Sequence, residues 1–239
     1  MESGTGGPVL CSEVPASHVA LIAALELEAR IPKDLAQSAA PAVYTSGPGR
    51  ERAFAAARNA VAEGAGALVS WGLAGGLSPA AATGTVVLPT TIVNGSGEWR
   101  TDDAWRARLA ARLSKELRVT ERPLYTADHV LTRPAAKAEL AARSGAVAVD
   151  MESSGLARAA AEAGLPFIVL RVVADAAGDE LPEDIEALVT DDGRTRYRGL
   201  AGVLTSPRQI GLLLRLARNS GRARSVLKQA ILLGLEPAR

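Results

Sequence analysis

Residues 147–178 read VAVDMESSGLARAAAEAGLPFIVLRVVADAAG. A short apolar run, Val147 to Val149, stops at Asp150-Met151-Glu152. A helical pattern follows and closes at Gly164-Leu165-Pro166. A second apolar run, Phe167 to Val173, carries Arg171 inside it and ends at Asp175. The reading is strand, helix, strand. Both strands are apolar enough to be buried, and each delivers a carboxylate near its C-terminal end. Open α/β sheets place their chemistry at the carboxyl ends of strands. An arginine inside a buried strand is costly unless it is paired, so Arg171 calls for an acidic partner.

Working outward, the same alternation fills the chain. Strands are predicted over residues 18–24 and 41–46, 67–71, 85–89, 91–93 and 123–127. Helices or helical turns are predicted over 26–36, 50–62, 103–116 and 133–142, with Pro32 limiting the start of the first. The helix at 50–62 places Ala53, Phe54, Ala57 and Val61 on one face at helical spacing. The expected class is α/β: a single-domain three-layer sandwich, a central mixed sheet between helices. No repeat or linker marks a second domain. Residues 1–17, rich in Gly, Pro and Ser and without a basic segment or apolar core, are expected to be a flexible leader rather than a secretory signal. Residues 18–239 form the domain, with a basic helical segment at about 207–228.

Composition narrows the function. The formal net charge is +1, which argues against a general polyanion or nucleic-acid binder. A single cysteine, Cys11, permits no intrachain disulfide and fits a reducing cytoplasm. Two histidines, His18 and His129, are few for a metal site, so no metal is expected. No 18-residue apolar run suggests a membrane-spanning helix.

Four further motifs each have a bland reading beside the chemical one. In Ala23–Arg30, AALELEAR, Glu26 and Glu28 follow a strand. A glutamate there serves as a general base if it faces a cleft, and equally suits an exposed helix start, where acidic residues complement the dipole. In Ser46–Arg52, SGPGRER, Gly47 and Gly49 precede a helix and expose backbone donors to an anion, or form an ordinary junction. In Ser70–Leu77, SWGLAGGL, glycines after a buried strand permit close approach to a ligand, or make a tight turn; the spacing is not that of a dinucleotide fingerprint. In Thr126–Thr132, TADHVLT, His129 is a loop histidine with or without a role.

Taken together, VDME about twenty residues ahead of Arg171-x-x-x-Asp175 resembles the nucleoside phosphorylase and nucleosidase superfamily, which cleaves the bond between a base and its sugar. The resemblance implies roles residue by residue. Glu28 matches a water-activating glutamate. Met151 lines the sugar and Glu152 binds its hydroxyls. Asp175 faces the purine nitrogen that is protonated as the bond breaks, and Arg171 sits near the nucleophile and Glu28. Gly72, Ala74 and Gly75 fall in a Gly-x-x-Gly-Gly element that contacts base and sugar. Val130 stands where an aromatic usually packs on the base, beside His129, and Leu131 matches a residue whose backbone reads the base edge. Gly47 and Gly49 border the nucleophile. The chain departs from the pattern at Ser70, where phosphorylases carry a phosphate-gripping arginine, and at Leu73, where a hydroxyl residue is usual. Arg30, Arg50 and Arg171 are candidates to rebuild a phosphate site, so phosphate remains an alternative co-substrate to water. Hydrolysis is narrowly favoured, and no cofactor is expected.

A closer resemblance covers nearly the whole chain. VSWGLAGGLSPAAATGTVVLP, AAKAELAARSGAVAVDMES and SPRQIGLLLRLARNS are similar to the hopanoid-associated phosphorylases, or adenosylhopane nucleosidases. That resemblance implies a 5′-substituted adenosine carrying a triterpenoid, adenine as product, and a homo-oligomer in which a neighbour completes the 5′ side. Other nucleosides, methylthioadenosine and futalosine among them, and a non-catalytic lipid or nucleotide binder remain as alternatives. The tail bears on this independently. Residues 194–239 hold ten Lys/Arg and one Glu, a net +9, against −8 for the rest. Arg208, Arg215, Arg218 and Arg222 share one side of a helix, and Ile210, Leu213, Leu214 and Ala217 another. Such a helix lies on an anionic membrane surface or packs on the sheet with a solvated arginine face. The expected location is cytoplasmic, with peripheral contact at the inner face of the membrane.

Overall fold

A computed structural model of the chain describes residues 19–35, 41–196 and 206–234. The expected leader, and the ends of the first strand and first helix at His18 and Ala36, lie outside the described residues.

Among the described residues ten strands form one mixed sheet. At its centre β3 (Ala67–Gly76) lies parallel to β10 (Phe167–Asp175) along nearly its whole length. On the other edge β3 changes partner. It runs parallel to β1 (Val19–Ala23) as far as Trp71, then antiparallel to β9 (Ala148–Asp150) from Gly75. The interval between these partners opens the sheet at residues 72–74. Outward from β1 lies β2 (Ala42–Thr45), parallel to it. Outward from β9 come β8 (Leu124–Thr126), β5 (Thr91–Asn94) and β6 (Gly97–Arg100). Outward from β10 come β4 (Val86–Val87) and β7 (Val119–Thr120).

Strand periodicity sorts the core into two faces. Val19, Leu21, Val69, Trp71, Ile168, Leu170 and Val172 pack on one side, against α3 (Asp103–Leu113), α1 (Glu26–Leu35) and the C-terminal helix α6 (Pro207–Leu232). Ala20, Ile22, Leu68, Val169 and Val173 pack on the other, against α2 (Arg50–Ala62) and α5 (Ser153–Ala163). The remaining helix, α4 (Pro134–Ser144), buries Lys137 and Leu140. The result is the expected α/β three-layer sandwich.

Three local readings are revised. SWGLAGGL is not a turn: the strand continues through Gly76, because β10 supplies a partner from Leu68 to Gly75 and β9 pairs with Gly75 and Gly76. Pro32 does not delay the first helix, which starts at Glu26 and contains it. A proline withholds its N–H from the carbonyl four residues back, here that of Glu28. The indole Nε1 of the buried Trp71 donates to that carbonyl at 3.2 Å instead. The short strands β6 and β7 were not expected; each is held by cross-strand partners rather than by a run of apolar residues.

The C-terminal helix also differs from its helical-wheel reading. The face that docks is Leu212, Ala223, Leu227 and Ala230, not the stripe of Ile210, Leu213, Leu214 and Ala217. The segment 210–217 is apolar on more than one face, so the sheet surface available to it decides which face is covered. Ile210 and Leu214 remain 39% and 66% exposed. Among the described residues no helix is long and apolar enough to cross a membrane.

Candidate active site

The opening in the sheet leaves the backbone of Leu73 beyond the reach of either edge partner, and side chains replace the missing strand. Its N–H donates to Glu28 Oε1 at 2.9 Å, and its carbonyl accepts from Arg171 Nη1 at 3.3 Å. Leu25 N–H donates to the other oxygen of Glu28 at 3.1 Å. Glu28 thus lies in the first turn of α1 but points inward, and it is buried. Gly72 makes this possible. Its φ is +147°, and a Cβ there would stand 2.7 Å from both Arg171 Nη1 and Glu28 Oε2.

Arg171 emerges from β10 on the α2/α5 side and is 1% exposed. Its Nη2 lies 3.1 Å from Asp150 Oδ2 and 3.1 Å from Glu152 Oε2, and donates to Ser70 Oγ at 3.0 Å. The acidic partner required by the sequence is therefore a pair, from the end of β9. Asp150 is itself fixed by Thr126 Oγ1 at 2.9 Å and by the N–H and hydroxyl of Ser153. Glu152 receives the N–H of Gly49, at the start of α2, at 3.0 Å. Helices α2 and α5 can bring these groups together because residue 155 is glycine: a Cβ there would lie 2.0 Å from the carbonyl oxygen of Arg50.

Burying three carboxylates around one guanidinium leaves excess negative charge. Burial, only partly offset by Arg171, raises Glu152 to about 7, with Asp150 adding to the rise. Burial likewise raises Glu28 against the opposing pull of Arg171. A carboxyl raised to about 7, as at Glu152, can exchange protons near neutral pH.

Asp175, at the end of β10, stands apart from this cluster. Its Oδ2 accepts from Lys137 Nζ at 2.5 Å. Lys137 comes from α4, is 1% exposed, and also donates to the carbonyls of Ala176 and Asp179 at 2.9 and 3.0 Å. Burial raises the Asp175 carboxyl, and the lysine opposes that rise without cancelling it.

Glu28, Glu152, Arg171 and Asp175 line one cavity of about 540 Å³, together with Gly49, Leu73, Ala74, Gly75, His129, Val130, Leu131 and Met151. That is within the range of small-molecule sites, about 300–1,000 Å³. The loop at 128–131 is tied to the short helical turn 185–188 by Val130 N–H donating to Glu186 Oε1 at 2.7 Å. Other sequence candidates stand elsewhere. Gly72 lies behind the lining, against Glu28 and Arg171, and Ser70 is buried under Arg171, bonded to Ser153. Gly47 packs against the Asp191 backbone. Arg30 pairs with Glu26 at 2.7 Å on the exposed side of α1, and Arg50 pairs with Asp128 at 3.2 Å. Neither arginine lines the cavity. Sequence reasoning missed Asp150 and Lys137. The signal for Lys137 was its place three residues before Leu140, on the buried side of AAKAELAA; Asp150 was visible in VDME but had no role.

A family model described as the phosphorylase superfamily matches residues 37–201, more than half of the chain. The chain belongs to the phosphorylase superfamily. Membership places it in the enzyme class of nucleosidases and nucleoside phosphorylases. Solved structures share the superfamily fold. A 5′-methylthioadenosine/S-adenosylhomocysteine nucleosidase from Helicobacter pylori is 16% identical with a TM-score of 0.65, covering 89% of this chain and 97% of its own. The corresponding nucleosidase from Neisseria meningitidis is 20% identical with a TM-score of 0.64, covering 88% and 98%. Futalosine hydrolase of Helicobacter pylori is 15% identical with a TM-score of 0.66, covering 89% and 96%. No curated protein sequence matches the chain.

Proposed function

We propose that this chain cleaves the bond between adenine and ribose in a 5′-substituted adenosine, and that its substrate is adenosylhopane, leaving a ribosyl hopane for side-chain synthesis. The observation that carries the reading is the convergence of Glu28, Glu152 and Asp175 on one cavity from three parts of the fold. Cleavage makes the sugar cation-like and pushes electrons onto the base. Glu152, anchored by Gly49 and Arg171, faces the sugar and accepts hydrogen bonds from its vicinal hydroxyls. Asp175, whose carboxyl is raised by burial, gives its proton to the departing base. Glu28 takes a proton from the attacking water. General acid–base help of this kind is worth about 10²–10⁴-fold per group.

Water is favoured over phosphate because, among the described residues, the Arg and Lys side chains lining the cavity are already engaged. Arg171 is held by Asp150 and Glu152, Lys137 by Asp175, and Arg52 by Asp191 at 3.0 Å. The lipid substrate rests on the closer sequence resemblance, and two features of the surface support it. Leu181, Ile185, Val189 and Leu216 give the cavity an apolar margin. Exposed Ile210 and Leu214 lie on the helix that carries the exposed Arg218 and Arg222, a combination suited to an anionic lipid surface. The homo-oligomer implied by the same resemblance belongs to this proposal.

The test is adenine release from adenosylhopane and from methylthioadenosine, with and without phosphate, with mass analysis of the sugar product. Release from adenosylhopane without phosphate, leaving ribosyl hopane, is expected. Phosphate-dependent release would replace hydrolysis by phosphorolysis. Release from methylthioadenosine alone would overturn the lipid substrate, and no release from either would overturn the reading.

A further inference from the structure

Lys137 is a buried cation for which the proposed chemistry has so far no use. A lysine ammonium has three protons to donate. Here they go to Asp175 Oδ2, to the carbonyl of the next residue, Ala176, and to that of Asp179. A loop could be closed by two carbonyl bonds from a neutral donor. Placing a full charge there, 1% exposed, is costly unless an opposite charge forms beside it.

Resting on the reading of Asp175 as proton donor to the base, we propose that Lys137 is the positioning residue of that acid: it fixes the carboxyl in the cavity wall and supplies the positive charge that stabilises the carboxylate left when the proton departs. The step balances without another reactant. The electron pair of the glycosidic bond passes to the base, the carboxyl proton passes from Asp175 to a base nitrogen, and the resulting carboxylate is neutralised by the ammonium already bonded to it. Lys137 keeps all its protons throughout.

The charged groups around the acid agree with this assignment. Lys137 approaches from α4. Asp179, from the loop after β10, disfavours the ionised form of Asp175. Its own carboxylate accepts from Ala176 N–H at 2.9 Å and faces Arg215 of α6 at 3.8 Å. Arg208 of α6 is occupied by Glu180 at 2.6 Å. Among the described residues Lys137 is thus the cation in direct contact with Asp175. Burial favours the protonated form of Asp175, and the lysine bonded to it favours the carboxylate that forms when the proton leaves.

The test compares Lys137→Met, Lys137→Gln and Lys137→Arg on two substrates in the full-length enzyme. One is methylthioadenosine or adenosylhopane, whichever the wild type cleaves. The other is 4-nitrophenyl β-D-ribofuranoside, whose leaving group departs as a stable anion. Lys137→Gln keeps a donor for the loop carbonyls without the charge, and Lys137→Arg keeps the charge. Adenine release should fall about tenfold or more in Lys137→Gln and Lys137→Met, while nitrophenol release stays within a few-fold and reports an intact fold. The limb of the pH–kcat/KM profile that disappears in Asp175→Asn should move to higher pH in both neutral variants and return toward the wild-type position in Lys137→Arg. Equal losses on both substrates, or an unmoved limb, would make Lys137 a loop fastener and overturn the inference alone. A wild type that releases no adenine would overturn the function reading beneath it.

Discussion

Replacing Asp175 separates chemistry from folding. The side chain is 7% exposed, and burial favours its neutral form. Asparagine reproduces the shape and neutrality of a protonated aspartate. Its carbonyl can still accept from Lys137, which also keeps its bonds to Ala176 and Asp179. Asp175→Asn should therefore stay within about 1 kcal/mol of wild-type stability, as near-isosteric changes do. What it loses is the acidic proton, worth about 10²-fold or more in kcat, with KM changed only a few-fold. Asp175→Ala should lose as much activity, but also leaves a buried ammonium short of an acceptor, at a further cost of about 1–3 kcal/mol. For a chain of this length that amounts to a melting temperature lower by roughly 2–4 °C per kcal/mol. The assays are adenine release by absorbance and denaturant unfolding on the same preparations. Activity of Asp175→Asn within a few-fold of wild type would refute the acid. Equal instability of the two variants would refute the account of how the pair is held.

Three other perturbations test different parts of the site. Glu152 binds its proton more tightly in the folded state, up to about 7 from 4.5, so its contribution to stability is fully present below the unfolded value and declines as pH rises through that window, by at most about 1.4 kcal/mol per pH unit. Glu152→Gln should remove that decline in urea titrations. It should also abolish most of the preference for ribose over 2′-deoxyribose; simple additivity of the two losses would count against the diol contact. Gly72→Ala forces a methyl against Arg171 and Glu28 and should cost about 1–3 kcal/mol, as overpacking does, together with most of the activity; a fully active variant would show that the close approach of Gly72 to these side chains is not needed for turnover. On the tail, Arg208 and Arg215 face Glu180 and Asp179, so of the four arginines on that side of the helix Arg218 and Arg222 are the pair to test at a membrane. At about 1 kcal/mol each, Arg218→Gln with Arg222→Gln should weaken sedimentation with anionic liposomes roughly 30-fold, while sparing cleavage of soluble methylthioadenosine; undiminished liposome binding would leave α6 only its packing role.

The sequence by itself determined the layers and named several of the residues that line the candidate cavity. Alternating apolar strands and helices have few ways to bury both faces, so VAVDME and FIVLRVVAD were readable as core strands ending in carboxylates. Arg171 announced a buried ion pair because no other arrangement tolerates a charge in such a strand. Tertiary structure decided what each polar group meets. The partner change of β3 between β1 and β9 leaves Leu73 to be bonded by Glu28 and Arg171, and no local pattern encodes a gap made by strands far apart in the chain. Trp71 rescuing the carbonyl that Pro32 leaves unpaired is of the same kind. So is Lys137, whose helix looks ordinary until it meets the end of β10. Arg50 looked available for phosphate until Asp128 was placed beside it. Periodicity specifies which face of an element is apolar, but a charge is defined by its neighbours, and those are assembled only when the sheet closes.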